Sequence, residues 1–400
     1  MSRNGTGKVS TQVSWKATSK AIEHHPLAQK GSFKNIGLSA ENLVLPIFVS
    51  DSRDANLVQA IDALPGQYKF GTSSVVDYLQ PLVNSYDLKA IILFGVVERS
   101  TSEFKDTHGN LGDAVNVDLG SQTYTNPVIL AMRNIKHAFG EKLIIIADVC
   151  LCSYTSNGHC GIMKLGSDGL QRPEAELSHQ RLAEVAVSYA EHGADIIAPS
   201  DMIIGRIGPM RRALDSKGFS SVPIMSYALK YCSAFYGPFR SAVASVNADG
   251  ENPPSIEAQH SEFPDNNDMH QVVRASMLPS LSVKSPAPYI DRSTYQLHPM
   301  KNAAELLQIA QKDVQDGAEY LMVKPSTCYL DILQQASSQL RVPFGVYHTS
   351  GEYCQLYYAA NRGALDLSSA LEEVCLAFVR SGAKFIISYF TPFILMKLKE

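Results

Sequence analysis

The sequence predicts an α/β protein whose strands close into an eightfold barrel, because eight short apolar runs alternate with amphipathic stretches. The runs are rich in Val, Ile and Leu and are mostly unbroken by polar residues, which is typical of parallel strands buried on both faces. No G-x-G-x-x-G sequence follows the first run, and this argues against an open nucleotide-binding sheet. The count of eight therefore favours a (β/α)8 TIM barrel over an open doubly wound sheet.

Strands and helices are predicted in regular alternation. The runs that predict strands are Leu43–Val49, Ala90–Gly95, Leu143–Val149, Asp195–Ala198, Val222–Tyr227, Tyr320–Val323, Pro343–Tyr347 and Phe385–Tyr389. The stretches that predict helices are Val75–Val83, Pro127–Phe139, Leu177–His192, Met210–Ser216, Ala303–Asp316, Asp331–Gln339, Tyr353–Ala359 and Ser368–Ser381. Three of these helices are followed by a glycine that can end them: Gly193, Gly317 and Gly382.

Two segments fall outside this alternation. Residues 1–30 are rich in Ser and Thr and carry five basic residues but one acid, Glu23, which is weakly typical of a transit peptide. We favour the alternative that residues 1–40 form an N-terminal arm docked elsewhere on the chain or on a neighbouring subunit. Ser241–Ile290 is rich in Asn, Asp, Ser and Pro and predicts a long irregular loop. The domain prediction is one catalytic barrel over residues 41–400 with a lid insertion at 241–290.

Composition excludes several classes of protein. The 400 residues are 45% apolar and 18% charged, which is typical of a folded globular chain. The 35 basic and 39 acidic residues give a net charge of −4, which argues against nucleic-acid binding. No apolar run approaches the roughly 18–20 residues that a membrane span needs, and no secretory segment is evident near Met1. Seven cysteines argue against a disulfide framework, so we expect a reducing, cytoplasmic location.

Three cysteines lie within eleven residues, directly after the third predicted strand: Cys150, Cys152 and Cys160. Thiolates at this spacing can converge on one Zn²⁺ ion, and three protein ligands leave the fourth position open for water or substrate, as in catalytic sites. His159 is an auxiliary candidate, and the Asn157-Gly158 turn can fold the segment back on itself. The alternative is three reduced cysteines in a loop that binds no metal.

Two lysines follow neighbouring predicted strands, Lys230 after Val222–Tyr227 and Lys324 after Tyr320–Val323. The chemistry of such barrels lies at the carboxyl ends of the strands, where a lysine can form a Schiff base with a carbonyl substrate. The amine must be neutral to attack, and both burial and a second nearby ammonium lower its pKa. The alternative is that each lysine extends to solvent from its strand end.

Other polar side chains are predicted at the same rim of the barrel. Asp148 is the one charged residue in its apolar run, so it is either functional or satisfied by neighbouring donors. Arg240 and Arg292 flank the long loop and could bind carboxylates bidentately, unless both are solvated. The hydroxyl groups at strand ends are further candidates, with strand-end packing and capping as their alternative: Ser200, Ser350 and Tyr389.

Seven segments of the chain resemble, in order, motifs of the delta-aminolevulinic acid dehydratase family, also called porphobilinogen synthases. They are Asp148–Gly161, Ala198–Met202, Ser226–Lys230, Phe235–Arg240, Asp291–Gln296, Met322–Pro325 and Ser350–Tyr353. The likeness runs from around His25 to the C-terminus. It implies a (β/α)8 barrel with an N-terminal arm, a homo-octamer, and condensation of two 5-aminolevulinate molecules to porphobilinogen in tetrapyrrole and haem biosynthesis.

The resemblance also implies roles for single residues. Lys324 would hold the first substrate molecule as a Schiff base, and Lys230 would engage the second. The residues implied for the two substrate carboxylates are Ser350 and Tyr389 for the first molecule, and Arg240 and Arg292 with Gln296 nearby for the second. The remaining implied residues are Asp148 and Ser200 near the substrate amino groups, and Cys150, Cys152 and Cys160 holding Zn²⁺.

Some features depart from the family pattern. Ile204 takes the place of an aspartate two residues before Arg206, so a carboxylate near Arg206 is lost. Thr294 stands where some relatives have a cysteine, and Glu305 is one position from a glutamate of magnesium-responsive relatives, so neither further metal site is expected. The segment 241–290 exceeds the family's lid by roughly forty residues. Two alternatives therefore stay open: an enzyme forming Schiff bases with another amino-ketone, and a barrel that has lost turnover.

Overall fold

The computed structural model describes residues 38–97, 126–243 and 292–399. The predicted arm and lid lie outside these residues, apart from 38–40 and 241–243, so both stay predictions. None of the described helices is long and apolar enough to cross a membrane.

The described strands and helices follow one another in this order. The strands are β1 (Leu43–Ser50), β2 (Val58–Ala60), β3 (Tyr68–Phe70), β4 (Ala90–Val96), β5 (Ile144–Val149), β6 (Met163–Leu165), β7 (Gln171–Pro173), β8 (Ile196–Pro199), β9 (Met225–Lys230), β10 (Tyr320–Lys324), β11 (Phe344–His348) and β12 (Ala383–Ser388). The helices are α1 (Ser74–Asn84), α2 (Pro127–Phe139), α3 (Ala175–Glu191), α4 (Ile207–Ser216), α5 (Gly237–Ala242), α6 (Ala303–Gln315), α7 (Leu330–Gln339), α8 (Ser350–Asn361), α9 (Leu367–Arg380) and α10 (Thr391–Lys399).

Eight parallel strands form the barrel. Their hydrogen-bonded order is β8-β5-β4-β1-β12-β11-β10-β9, so strands that follow each other in this set are neighbours in space. A parallel bridge between Ile197 and Ile224 joins the two ends of this order and completes the ring. The prediction of a (β/α)8 TIM barrel is confirmed. Because all eight strands run the same way, their carboxyl ends meet at one mouth of the barrel.

The barrel strands are buried because they carry apolar side chains on both faces. Every residue of β1, β8, β9, β10 and β11 is buried, which is the burial expected of strands covered by helices on one side and filled by side chains on the other. Gly345 on β11 is required here, because a Cβ at this position would overlap the Phe385 ring of β12.

Small shifts from the predicted boundaries matter for the site. The fifth barrel strand begins at Met225 rather than Val222 and ends at Lys230, so this lysine belongs to the strand. The helix predicted from Tyr353 begins three residues earlier, because Thr349 and Glu352 form a capping box at its start. Two short hairpins, β2–β3 and β6–β7, were not predicted, because each of their strands is only three residues long.

Candidate active site

Lys230 and Lys324 lie side by side at the mouth of the barrel. They are the last residues of β9 and β10 and are register partners across these neighbouring strands. Both are buried, with 6% and 3% of their surface exposed. The alternative in which each lysine extends to solvent is therefore wrong. Two buried amines at this position need a specific environment, and the protein supplies a different one for each.

Aromatic rings enclose the Lys324 amine. Its Nζ atom lies 3.8 Å from the centroid of the Tyr347 ring and 4.9 Å from that of Phe239, with the rings of Tyr227 and Tyr236 at 5.3 and 5.4 Å. Burial lowers the pKa of Lys324 to about 7, and the charge of Lys230 adds to the shift. A large fraction of the amine is therefore neutral near pH 7, as attack on a carbonyl carbon requires.

Polar groups surround Lys230. Its Nζ atom donates a hydrogen bond to the backbone carbonyl of Ser200, the residue that follows β8. Asp148 lies close by on β5, and burial raises its pKa to about 6, while Lys230 and the Ser200 hydroxyl oppose the shift. Its Oδ1 atom is buried without a hydrogen-bond partner. The Asp148 carboxylate can therefore accept a hydrogen bond from a bound molecule.

The three predicted cysteines converge in the loop after β5. The Sγ atoms of Cys150, Cys152 and Cys160 all lie within 4.8 Å of one another, and all three residues are buried. Hydrogen bonds from the other two thiols lower the pKa of Cys160 well below its usual value, and Arg292 contributes to the shift. Three buried sulfur donors, one of them prone to ionise, fit a thiophilic metal ion. The cluster can therefore bind a metal.

A tight turn brings these thiols together. Gly158 adopts a φ of 66°, and the Asn157 side chain accepts a hydrogen bond from the His159 backbone at 3.0 Å. The His159 ring is hydrogen-bonded through Nδ1 to the Tyr295 hydroxyl at 3.2 Å. His159 is therefore outside the group of three thiols, and it contacts the residue that packs against them.

Arg292, which lies beside the thiols, and Gln296 are both buried and have polar atoms without hydrogen-bond partners. Arg292 donates from Nη2 to the Gly158 carbonyl at 2.7 Å, which leaves its Nε atom unpaired. Neither Oε1 nor Nε2 of Gln296 has a partner. Buried polar groups are normally satisfied, so these atoms indicate a pocket that receives a polar ligand. The structure thus brings Arg292 to the thiol cluster, and the Gln296 backbone donates a hydrogen bond to the Arg292 carbonyl at 2.9 Å.

Two of the three predicted hydroxyl groups, those of Ser350 and Tyr389, lie on the Lys324 side of the mouth. The Tyr389 hydroxyl is 3.1 Å from that of Tyr347, whose ring covers the Lys324 amine. Ser350 accepts a hydrogen bond from the Phe239 backbone at 3.1 Å. Arg240 lies one residue further along α5, with its guanidinium carbon 5.9 Å from the Tyr236 ring centroid. The start of α8 and helix α5 therefore pack together around this side of the site.

The sequence reasoning missed two kinds of residue. The enclosing tyrosines, Tyr227 and Tyr347, were treated as parts of apolar runs, although their position at strand ends was a usable signal. Glu352 was also given no role. Its buried carboxylate accepts hydrogen bonds from the backbone of Thr327 at 2.6 Å, Thr349 at 2.8 Å and Ser326 at 3.1 Å. It thereby connects the loop after Lys324 to the start of α8.

Comparison with known proteins identifies the family. The family model described as delta-aminolevulinic acid dehydratase matches residues 20–264 and 280–396. The chain belongs to this family. Its delta-aminolevulinic acid dehydratase relative from Bos taurus is 38% identical over 94% of this chain and 96% of that protein. The relative from Dictyostelium discoideum is 35% identical over 94% and 95%.

A solved structure of the family extends the match to three dimensions. The delta-aminolevulinic acid dehydratase of Toxoplasma gondii, crystallised in complex with the reaction product porphobilinogen, superposes with a TM-score of 0.72. The match covers 90% of this chain and 85% of that one, at 29% sequence identity. The resemblance inferred from seven short motifs is therefore confirmed over most of the chain.

Proposed function

We infer that this protein is a porphobilinogen synthase, which condenses two molecules of 5-aminolevulinate to porphobilinogen with loss of water, in tetrapyrrole and haem biosynthesis. The observation that carries the inference is the pair of buried, register-matched lysines beside three converging thiols, in a chain of this family. Schiff-base formation with a ketone substrate needs an amine nucleophile. The carboxylates of two such substrate molecules need cationic or hydroxyl partners.

Lys324 is the proposed nucleophile for the first substrate molecule. A neutral amine adds to the keto carbon, and loss of water then gives a Schiff base with the Lys324 nitrogen. The lowered pKa of this lysine supports the assignment, because the free amine is available near neutral pH. The hydroxyl groups of Ser350 and Tyr389 are the proposed donors to the carboxylate of the same molecule.

The second molecule is proposed to bind on the Lys230 side. Lys230 would engage its keto group, while Arg240 and Arg292 bind its carboxylate with Gln296 nearby. The unpaired Arg292 and Gln296 atoms support this assignment. Asp148 and Ser200 are the proposed partners of the substrate amino groups.

The metal proposed for the three thiols is Zn²⁺. Sulfur donors favour this ion among those common in proteins, and three protein ligands leave a position open. Bound there, Zn²⁺ would act as a Lewis acid on an oxygen atom of the second substrate. The chain's own part is to hold the ion through Cys150, Cys152 and Cys160, and to place Arg292 against the loop that carries them.

Assembly and location are also proposed from the family resemblance. A homo-octamer is the expected assembly, and sedimentation analysis of the purified chain tests it. The chain's seven cysteines all lie in the described residues and form no disulfide there, which agrees with a reducing compartment such as the cytoplasm.

Incubation of the pure protein with 5-aminolevulinate and Zn²⁺ tests the function. We expect a pyrrole product, detected by its colour reaction with an aromatic aldehyde in acid and by its mass. Lys324→Met protein is the matched control and should give none. A trapped substrate adduct without pyrrole would instead favour an enzyme acting on another amino-ketone. Absence of both product and adduct would favour a barrel without turnover.

A further inference from the structure

A cluster of buried charged side chains lies behind Lys230. The Arg206 side chain has its Nε atom 3.3 Å from the Asp201 carboxylate and its Nη1 atom 3.6 Å from that of Asp313. Its Nη2 atom donates to the Ser226 hydroxyl at 3.0 Å, and Ser226 donates to Asp313 at 2.6 Å. Arg206 thus has two carboxylate partners. The further carboxylate of the family pattern is absent, because the exposed Ile204 stands in its place.

These charges are almost completely removed from solvent. Arg206 is 1% exposed, Asp201 0% and Asp313 2%. Burial of ion pairs gives weak stabilisation, because loss of hydration offsets the attraction, and an apolar cluster of the same size would often serve the fold as well. A buried cluster of this kind therefore calls for a reason beyond stability.

The cluster borders a turn that is itself under strain. Met202 is buried and adopts a φ of 70°, in the left-handed region that non-glycine residues rarely occupy. Asp201 accepts a hydrogen bond from the backbone of Ile203 at 2.7 Å, which spans the strained residue. The Nη2 atom of Arg206 lies 3.8 Å from the Met202 sulfur. Strain of this kind persists only where the surrounding contacts hold it in place.

The turn and the cluster together hold both ends of one hydrogen bond. The acceptor is the carbonyl of Ser200, which directly precedes Asp201. The donor is Lys230, which lies on the same strand as Ser226. Arg206 contacts Asp201 on one side and Ser226 on the other, so it fixes the turn that carries the acceptor against the strand that carries the donor.

We propose that Arg206, Asp201 and Asp313 are positioning residues, which hold the Ser200 carbonyl against Lys230 and so fix this amine for the second substrate molecule. The proposal rests on the proposed function, because it needs Lys230 to serve the second molecule. The cluster contacts the turn after β8 and the strand β9, which hold Lys230. Lys324, the lysine proposed for the first substrate molecule, is enclosed by aromatic rings instead. Loss of the cluster should therefore impair one half of the site and spare the other.

Arg206→Met tests this separation. We expect product formation to fall by about 100-fold, the effect of a displacement of order 1 Å at a reacting group. The rate at which borohydride traps substrate on Lys324 should stay within about twofold of wild type. Arg206→Lys, which keeps the charge but not the fork of donors, should recover part of the product rate.

A second variant covers the case in which Arg206→Met does not fold. Asp313→Asn keeps the shape of the side chain and removes one charge, and we expect about a tenfold loss of product rate with unchanged trapping. The matched control is Asp215→Asn, which removes the carboxylate of a half-exposed ion pair with Arg211 on α4. The control should leave both rates unchanged.

The outcomes separate this proposal from the function on which it rests. Wild-type protein that gives neither product nor adduct overturns both. If the wild-type protein is active and the variants lose product and adduct in parallel, the cluster serves the fold as a whole. That result overturns the positioning role and leaves the proposed function intact. Variants with a wild-type product rate overturn it as well. Selective loss of product supports it.

Discussion

Lys324 is enclosed by aromatic rings, whereas Lys230, on the neighbouring strand, is hydrogen-bonded to a backbone carbonyl and lies near a carboxylate. The two residues are of the same type, at paired positions of adjacent strands, and both are buried. Their chemistry therefore comes from their neighbours. An apolar enclosure yields a free amine suited to attack, and a polar one yields an amine fixed in direction.

The two environments also differ in how they are built. The enclosure of Lys324 uses side chains of β9, β11 and the segment around α5, which meet at the mouth of the barrel. The environment of Lys230 depends on a strained turn and a buried ion cluster that lie behind the site. One half of the site is thus shaped by packing and the other by charges. Each half can therefore be perturbed separately.

The largest effect is expected from Lys324→Met. This change removes the proposed nucleophile and keeps an apolar chain of similar length, so the aromatic enclosure should stay filled. We expect product formation to fall by roughly 10⁵-fold or more, as for other covalent catalysts that lose their nucleophile. Thermal unfolding should be unchanged or shifted upward, because a buried amine is replaced by an apolar group. A variant with more than a few per cent of the activity would contradict the assignment.

The thiol cluster belongs to the half shaped by charges and is expected to give the next largest effect. Replacement of Cys150, Cys152 and Cys160 together by alanine should abolish Zn²⁺ binding, measured by metal content, and lower product formation by about 10³-fold. A chelator should do the same to the wild type, reversibly. The matched control is Cys375→Ala, which changes a buried cysteine outside the cluster. Full activity in the triple variant would show that no metal acts at this site.

Glu352 allows a smaller test of the half shaped by packing. Glu352→Gln places an amide donor against the backbone N–H groups of Ser326, Thr327 and Thr349, so the loop after Lys324 should move. We expect the rate of trapping on Lys324 to fall by about 10- to 100-fold. Glu305→Gln is the control, because Glu305 is likewise the third residue of its helix, α6, but is exposed and contacts only residues of that helix start. Equal effects of both changes would exclude a role for the loop.

The smallest expected effect is on the pH dependence of substrate trapping, which compares the two lysines. Because Lys324 reacts as the neutral amine, its trapping rate should rise with pH, level off above the pKa of about 7, and fall tenfold per pH unit below it. Lys230→Met removes a positive charge that lowers this pKa, so the midpoint should move to higher pH. A midpoint that stays in place would show that burial alone sets the pKa of Lys324.

Much of this architecture was readable from the sequence, for physical reasons. Buried parallel strands need continuous apolar runs, and residues that end such strands must meet at one mouth of the barrel, so both lysines could be placed. The three cysteines are close in sequence, so their convergence was also open to prediction. The boundary at β9 was less accurate, because Ile224 makes only a single bridge before regular pairing begins at Met225.

The environments of the two lysines could not be read in the same way. Arg206 and Asp313 are more than a hundred positions apart, and no local pattern shows that a guanidinium and a carboxylate will meet behind Lys230. The rings that enclose Lys324 likewise come from separate strands, and each tyrosine taken alone is an ordinary core residue. Side-chain type and position were predictable, whereas the pairing of distant side chains depends on the packed fold.

Reductive trapping in Lys230→Met tests the central claim, that the two lysines divide the work, most directly. The variant and the wild type are each treated with 5-aminolevulinate and borohydride above the pH midpoint of trapping, and the modified peptides are mapped by mass. We expect one substrate adduct on Lys324 in both proteins and pyrrole product in the wild type alone. An unmodified Lys324 in wild-type protein that makes product, or product formation by Lys230→Met, would contradict this division of work.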